Sequence, residues 1–332
     1  MAKIVFGAAA SHSPQVSSPP KHWKSQGQVD RNRALLVGPD GERRSFDELA
    51  ALPQPFDPID LEPHVWDEKH ERVQAAVSEL ERLMAQASPD VVLVIGDDQN
   101  EMFDGPAHPT FAIFSGSSVD DYPLTEEQFA KLPDITKAAA WARHAEESES
   151  YEVEVGLAEH LISSLGEFDV EKVAEQSEGR SIGHAYTFVR LRLQPGSNPS
   201  KMIPIFVNCL YEPNMPDPRE CIAFGRALRQ AVESWPSDAR VAVVASGGLS
   251  HFVVDEVTDR RVLSALEDNA LDRIADLDQK HLQSGSGETR NWLIAGGALE
   301  GLEMNTVEYV PGYRSEAGTG VGMGFAAWMS NQ

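Results

Sequence analysis

The chain has 332 residues, with 28 Lys+Arg against 52 Asp+Glu, a net charge of −24 and a hydrophobic fraction of 41%. That composition excludes a disordered chain, and it argues against nucleic acid or an anionic membrane surface as partner, since both call for clustered cations. Cys209 and Cys221, the two cysteines, cannot supply a disulfide framework or an all-cysteine zinc site, and no stretch approaches the ~20 apolar residues of a membrane span, so a soluble cytoplasmic protein is expected.

Short apolar runs rich in β-branched residues predict buried strands at 3–9, 90–96, 110–114, 202–208, 240–245 and 306–310. Helical spacing fills the intervals. Val73, Val77, Leu80 and Leu83 recur within 68–86, and similar patterns cover 125–144, 152–165, 218–235 and 256–277. This alternation predicts an α/β fold, a mostly parallel central sheet with helices on both faces, formed as a single domain over 1–332. Residues 16–65 break the alternation with Pro19, Pro20, Pro53, Pro55, Pro58 and Pro63. They are too long for an ordinary connection and predict an inserted, lid-like segment.

In sheets of this kind, ligands sit at the carboxyl ends of the strands. His12 follows the first predicted strand in Ser11-His12-Ser13-Pro14, and Asp97-Asp98-Gln99 follows the second. His251 follows the strand at 240–245 through Ser246-Gly247-Gly248-Leu249-Ser250. The paired glycines let the backbone turn sharply and approach a ligand closely. His184 lies in Ser181-Ile182-Gly183-His184-Ala185-Tyr186.

Taken in order, these segments resemble the class III extradiol ring-cleaving dioxygenases, the family of the protocatechuate 4,5-dioxygenase catalytic subunit, gallate dioxygenase and 3-O-methylgallate dioxygenase. The resemblance runs end to end, with 16–65 as the main extra. It also draws on Pro89-Asp90-Val91-Val92, Pro109-Thr110-Phe111-Ala112-Ile113, Ile203-Pro204-Ile205-Phe206-Val207-Asn208, Ala231-Val232-Glu233-Ser234-Trp235-Pro236, and Glu288 ahead of Trp292-Leu293 and Gly296-Gly297-Ala298-Leu299.

The resemblance implies Fe(II) held by two histidines and a glutamate, with open positions for a catecholic substrate and O2. It places the first histidine at His12 and the glutamate at Glu288. It assigns acid–base work to His251 and orientation of substrate hydroxyls to His184, with Tyr186 and Ser250 as candidate substrate-binding neighbours. An imidazole titrating near pH ~6.5 can take a catechol proton and return it.

The chain departs from the family at the second histidine. The family has Asn-Asp-His after the second strand; this sequence has Asp97-Asp98-Gln99. The third ligand is therefore open between Gln99 through its carbonyl oxygen, Asp97 or Asp98, and a histidine from His64 or His70. A metal-dependent lyase or hydrolase on a phenolic substrate, and a non-enzymatic binding protein, are the competing readings. A carboxylated substrate would need a local cation, for which Arg180 and Arg190 are the candidates. The insertion at 16–65 could cap the site as a small partner subunit does in protocatechuate-type enzymes. A homo-oligomer is expected.

Overall fold

A computed structural model describes residues 1–104 and 108–330; residues 105–107 and 331–332 of the expected domain lie outside the description. The sheet is built from β1 (Lys3–Ala10), β2 (Val91–Asp97), β3 (Phe111–Phe114), β4 (Glu171–Val173), β5 (Lys201–Val207), β6 (Arg240–Ser246), β7 (His251–Val253), β8 (Glu303–Tyr313) and β9 (Thr319–Met329). Among the described residues the spatial order is β7-β9-β1-β6-β2-β5-β3-β4, with β8 also paired to β9. The centre, β1-β6-β2-β5, is parallel, as the alternation predicts. Antiparallel pairings join β9 to β1 on one side and β3 to β5 on the other.

The central strands are apolar on both faces and wholly buried at Val92–Ile95 and Val241–Ala245, which is the pattern of a sheet covered by helices. The principal helices are α1 (Lys21–Arg31), α2 (Pro63–Ala87), α3 (Val155–Ser164), α4 (Pro218–Ser234), α5 (Glu256–Glu267) and α6 (Thr289–Ala298). Helix α2 packs on β1, β8 and β9, and α4 and α6 pack on each other and on β1, β6 and β2. Phe111 of β3 stacks on Phe224 of α4 with centroids 4.0 Å apart, a pair worth about 0.5–1.5 kcal/mol beyond its buried area.

Several predicted elements differ in extent. The helix expected over 125–144 is broken into Glu126–Lys131, Asp134–Ala138 and a turn at Ala140–Ala142. Pro133 stands between the first two, and the residue before a proline is driven out of the helical region. The helix expected from 152 is preceded by a strand, Glu149–Glu152, paired with Ser118–Asp121. The helix expected over 256–277 stops at Glu267, and Asn269 adopts a left-handed φ of 50° two residues later.

Residues 16–65 are ordered and packed. Trp23 is fully buried, and Leu36, Phe46 and Leu49 form a small core with Val253 and Ala317. Asp30 is the joint to the main body, accepting from Arg314 Nε at 2.6 Å and from Arg33 Nε at 3.3 Å.

Candidate metal centre and its cavity

The carboxyl ends of β1, β2 and β6 converge. Two residues beyond β1, His12 is buried, with Nδ1 3.0 Å from the Ser246 hydroxyl at the end of β6. Asp97 closes β2 and is fully buried. Glu288 immediately precedes α6. Donor atoms of His12, Asp97 and Glu288 lie within 4.8 Å of one another. His12 Nε2 and Asp97 Oδ1 are buried without a hydrogen-bond partner, and His12 Nε2 is 3.7 Å from Glu288 Oε2, too long for a hydrogen bond. Unpartnered buried donors and acceptors are costly, and a divalent cation would satisfy both. One imidazole nitrogen and two carboxylates form a donor set that suits Fe(II) or Mn(II).

Glu288 is held in place by its neighbours. Arg290, fully buried, donates from Nε to Pro216 O at 2.7 Å and from Nη1 to Leu282 O at 2.8 Å, fixing the turn that leads into α6. Asn291 Nδ2 donates to Ser246 O and Trp292 Nε1 to Gly247 O, each at 2.9 Å. The start of α6 is thereby tied to the end of β6. The Gly248 N–H donates to Glu288 Oε2 at 2.6 Å, and a Cβ at Gly248 would overlap the His251 ring. The glycine pair therefore lets the backbone approach the Glu288 carboxylate and the His251 ring closely.

Charge in the cluster is uneven. Burial raises Asp97, and the Glu288 carboxylate raises it further. Burial also acts to raise Glu288, but His251, His12 and the Gly248 N–H outweigh it and hold the carboxyl low. Burial acts to lower His12, and Glu288 more than offsets this, so the ring is raised.

Two more histidines border the same cavity. His251 Nδ1 donates to Leu249 O at 3.1 Å, and its Nε2 stands 3.8 Å from Glu288 Oε2. Burial draws it below its ordinary value despite Glu288. His184 begins the short helix His184–Phe188. Its Nδ1 is 2.5 Å from Glu101 Oε1, and its ring meets that of His12 edge-on with centroids 4.7 Å apart. Burial, then the Arg143 charge, lower His184 to about 4 against the pull of Glu101. Both rings are held below the ordinary imidazole value. The cavity, about 510 Å³, is lined by His12, Gln99, Arg143, His184, His251 and Glu288, with Pro133, Ile135, Leu210, Phe252 and Val321 as its apolar wall. Gln26 and Arg33, from the 16–65 segment, form part of its border.

The predicted residues fare differently. His12, His184, His251 and Glu288 come together. Gln99 lines the cavity and its Nε2 donates to Asp97 Oδ2 at 3.1 Å; Asp97 in turn lies beside His12 and Glu288. Asp98 accepts the backbone N–H groups of Met102 and Phe103 and lies 3.2 Å from His108 Nε2, so it caps the following turn. His64 is exposed, and His70 packs on Trp23 away from the cavity. Tyr186 and Ser250 do not reach the cavity. Tyr186 is fully buried, its hydroxyl within reach of Gly96 O at 3.0 Å and Ile205 O at 3.2 Å, whereas Ser250 donates to Asp259 Oδ2 at 2.6 Å. Arg180 pairs with Asp104, and Arg190 donates to Gln194 O. Glu101, Arg143 and Ser246 had no role in the sequence reading. Ser246 and Glu101 lie within the strand-end runs that carry His251 and Asp97, whereas Arg143 sits in the broken helical pattern, where nothing marks it.

Residues 61–324 match the family described as the catalytic LigB subunit of aromatic ring-opening dioxygenase, and the chain belongs to that family. The matched span holds Asp97, His184, His251 and Glu288; β1 with His12 precedes it. A stretch of 104 residues is 36% identical to gallate dioxygenase of Pseudomonas putida, covering 30% of this chain and 29% of that protein. Among the described residues, no helix is long and apolar enough to cross a membrane.

Proposed function

We propose that the protein opens a catecholic aromatic ring with O2 by extradiol cleavage, using Fe(II) held by His12, Asp97 and Glu288. The observation that carries this reading is the pair of unpartnered buried atoms, His12 Nε2 and Asp97 Oδ1, grouped with Glu288 beside a cavity that His184 and His251 also line. When bound, the ion supplies a chelation point for adjacent ring hydroxyls and a path for electrons between ring and O2.

The chain's own groups do the rest. His251 is a base within the cavity: with Nδ1–H committed to Leu249 O, Nε2 carries the lone pair that accepts a hydroxyl proton and later returns it. His184, fixed through Nδ1 by Glu101, presents Nε2 to a second hydroxyl. The apolar wall takes the ring face. Both atoms of O2 end in the ring-opened product. Gallate-, 3-O-methylgallate- and protocatechuate-like compounds are the proposed substrates, and the 16–65 segment is proposed to cap the site.

The test is anaerobic loading with Fe(II), then O2 uptake with these three compounds. One O2 consumed per ring lost is expected. No uptake despite stoichiometric metal overturns the reading. Metal-dependent turnover without O2 would favour the lyase or hydrolase, and failure to bind metal would favour a binding protein.

A further inference from the structure

Resting on the reading above, we propose that Arg143 anchors a carboxylate substituent on the aromatic substrate. The cavity is bordered by three arginines, Arg33, Arg143 and Arg314. Two are engaged. Arg314 donates to Asp30 Oδ2 at 2.6 Å and to Gln15 Oε1 at 2.9 Å. Arg33 lies 3.3 Å from Asp30 Oδ1, with its guanidinium 4.2 Å from the centre of the Phe252 ring. The Arg143 guanidinium makes no hydrogen bond, ion pair or ring contact with any described residue.

The backbone of Arg143 is nevertheless fixed. The Arg143 N–H donates to Ala140 O at 2.9 Å, and its carbonyl accepts from the Thr187 hydroxyl, tying it to the helix that carries His184. The charges of Glu101, Glu288 and Asp97 act on it through space. A cation that served only to balance those carboxylates would gain most by direct pairing, and none of them is within ion-pair distance. Its planar fork of donors is left for something that enters the cavity. A carboxylate matches that fork in two parallel hydrogen bonds. The net charge is −24, Glu288 lines the cavity, and the charges of Glu101 and Asp97 reach Arg143 through space, so an anionic ring needs a local cation to enter.

The test is anaerobic titration of the metal-loaded protein with 3,4-dihydroxybenzoate and with unsubstituted catechol, for wild type, Arg143→Gln and Arg143→Lys. Wild type is expected to bind the carboxylated ring at least tenfold more tightly. Arg143→Gln should abolish that ratio while leaving catechol affinity within twofold and metal content unchanged. Arg143→Lys, which keeps the charge without the fork, should give an intermediate ratio, and it decides the matter if the glutamine variant does not fold. An unchanged ratio in either variant overturns the proposal. So does an equal loss for both ligands with loss of metal, the signature of simple charge balance. Because binding is read without O2, absent O2 uptake beside an intact ratio would refute ring opening and leave the anchor standing.

Discussion

Ser246 Oγ stands 3.0 Å from His12 Nδ1, on the side of the ring opposite the atom that faces Glu288. A proton held on Nδ1 toward this hydroxyl keeps the lone pair on Nε2. Partners of this kind orient a ligating imidazole and typically contribute 10–100-fold to metal affinity. Ser246→Ala is therefore expected to weaken Fe(II) binding roughly tenfold without changing stoichiometry, as read by chelator competition.

Asp97 and Gln99 separate cleanly by substitution. Asp97→Asn should cost on the order of 100-fold or more in metal affinity, because it removes a charge and a donor together. Gln99→Ala, which removes only a hydrogen bond to Asp97, should cost less than about tenfold. A larger loss from Gln99→Ala than from Asp97→Asn would move the third ligand to Gln99. Gln99→His is the companion: unchanged iron affinity leaves position 99 outside the ligand set.

His251→Gln should retain metal and fold while lowering turnover roughly 10²–10⁴-fold, the usual share of a positioned acid–base group. The measurement is kcat alongside metal content. Wild-type turnover in this variant would remove His251 from the proton path.

Asp259, which is not among the proposed ligands, gives a further pH dependence. It is buried beneath Ser250 and Tyr309, whose hydroxyls donate to Oδ2 at 2.6 and 2.7 Å. Burial outweighs these bonds and raises the carboxyl from its ordinary 3.8 to about 7. Below pH 3.8 both folded and unfolded chains hold the proton. As pH rises toward 7, the unfolded chain releases it first, so stability falls, by up to about 4 kcal/mol for this group. Asp259→Asn should shrink the stability difference between pH 5 and pH 8, measured by urea midpoints. An undiminished difference would show that Asp259 is ionised throughout.

Gly225 lies where α4 crosses α6, and a Cβ there would overlap the Ile294 carbonyl. Gly225→Ala should destabilise the fold by about 1–3 kcal/mol, the range for overpacking a close contact. Because α6 follows Glu288 directly, metal affinity should fall with it; a thermal melt and a metal titration on the same variant test both.

The parallel centre was legible because β1, β2, β5 and β6 are continuous apolar runs, and the strand-end rule then led to His12, Asp97 and His251. What escaped has physical causes. Strand β9 reads Thr-Gly-Val-Gly-Met-Gly-Phe at its start; alternating glycines remove the β-branched signal that marks a strand. Those glycines are needed for packing, since a Cβ at Gly322 would strike Asp259 and one at Gly324 would crowd Trp292. Tyr186 and Ser250 were drawn in by nearness in sequence to His184 and His251, yet successive residues of a helix or turn point in different directions. Arg143 could be found only once the chain had brought 136–143 against 184–188.

Strand β9 also sets a timetable. It separates β1 from β7 in the sheet, pairing Phe6 with Met329 and His251 with Val321. During synthesis, the edge of β1 opposite β6 stays open until residues beyond 319 emerge from the ribosome. Such a pairing across more than 300 positions is slow to form. His12 is thus made long before the strand that completes its sheet, and a chain cut short before β9 would carry every proposed ligand with no finished sheet to hold them.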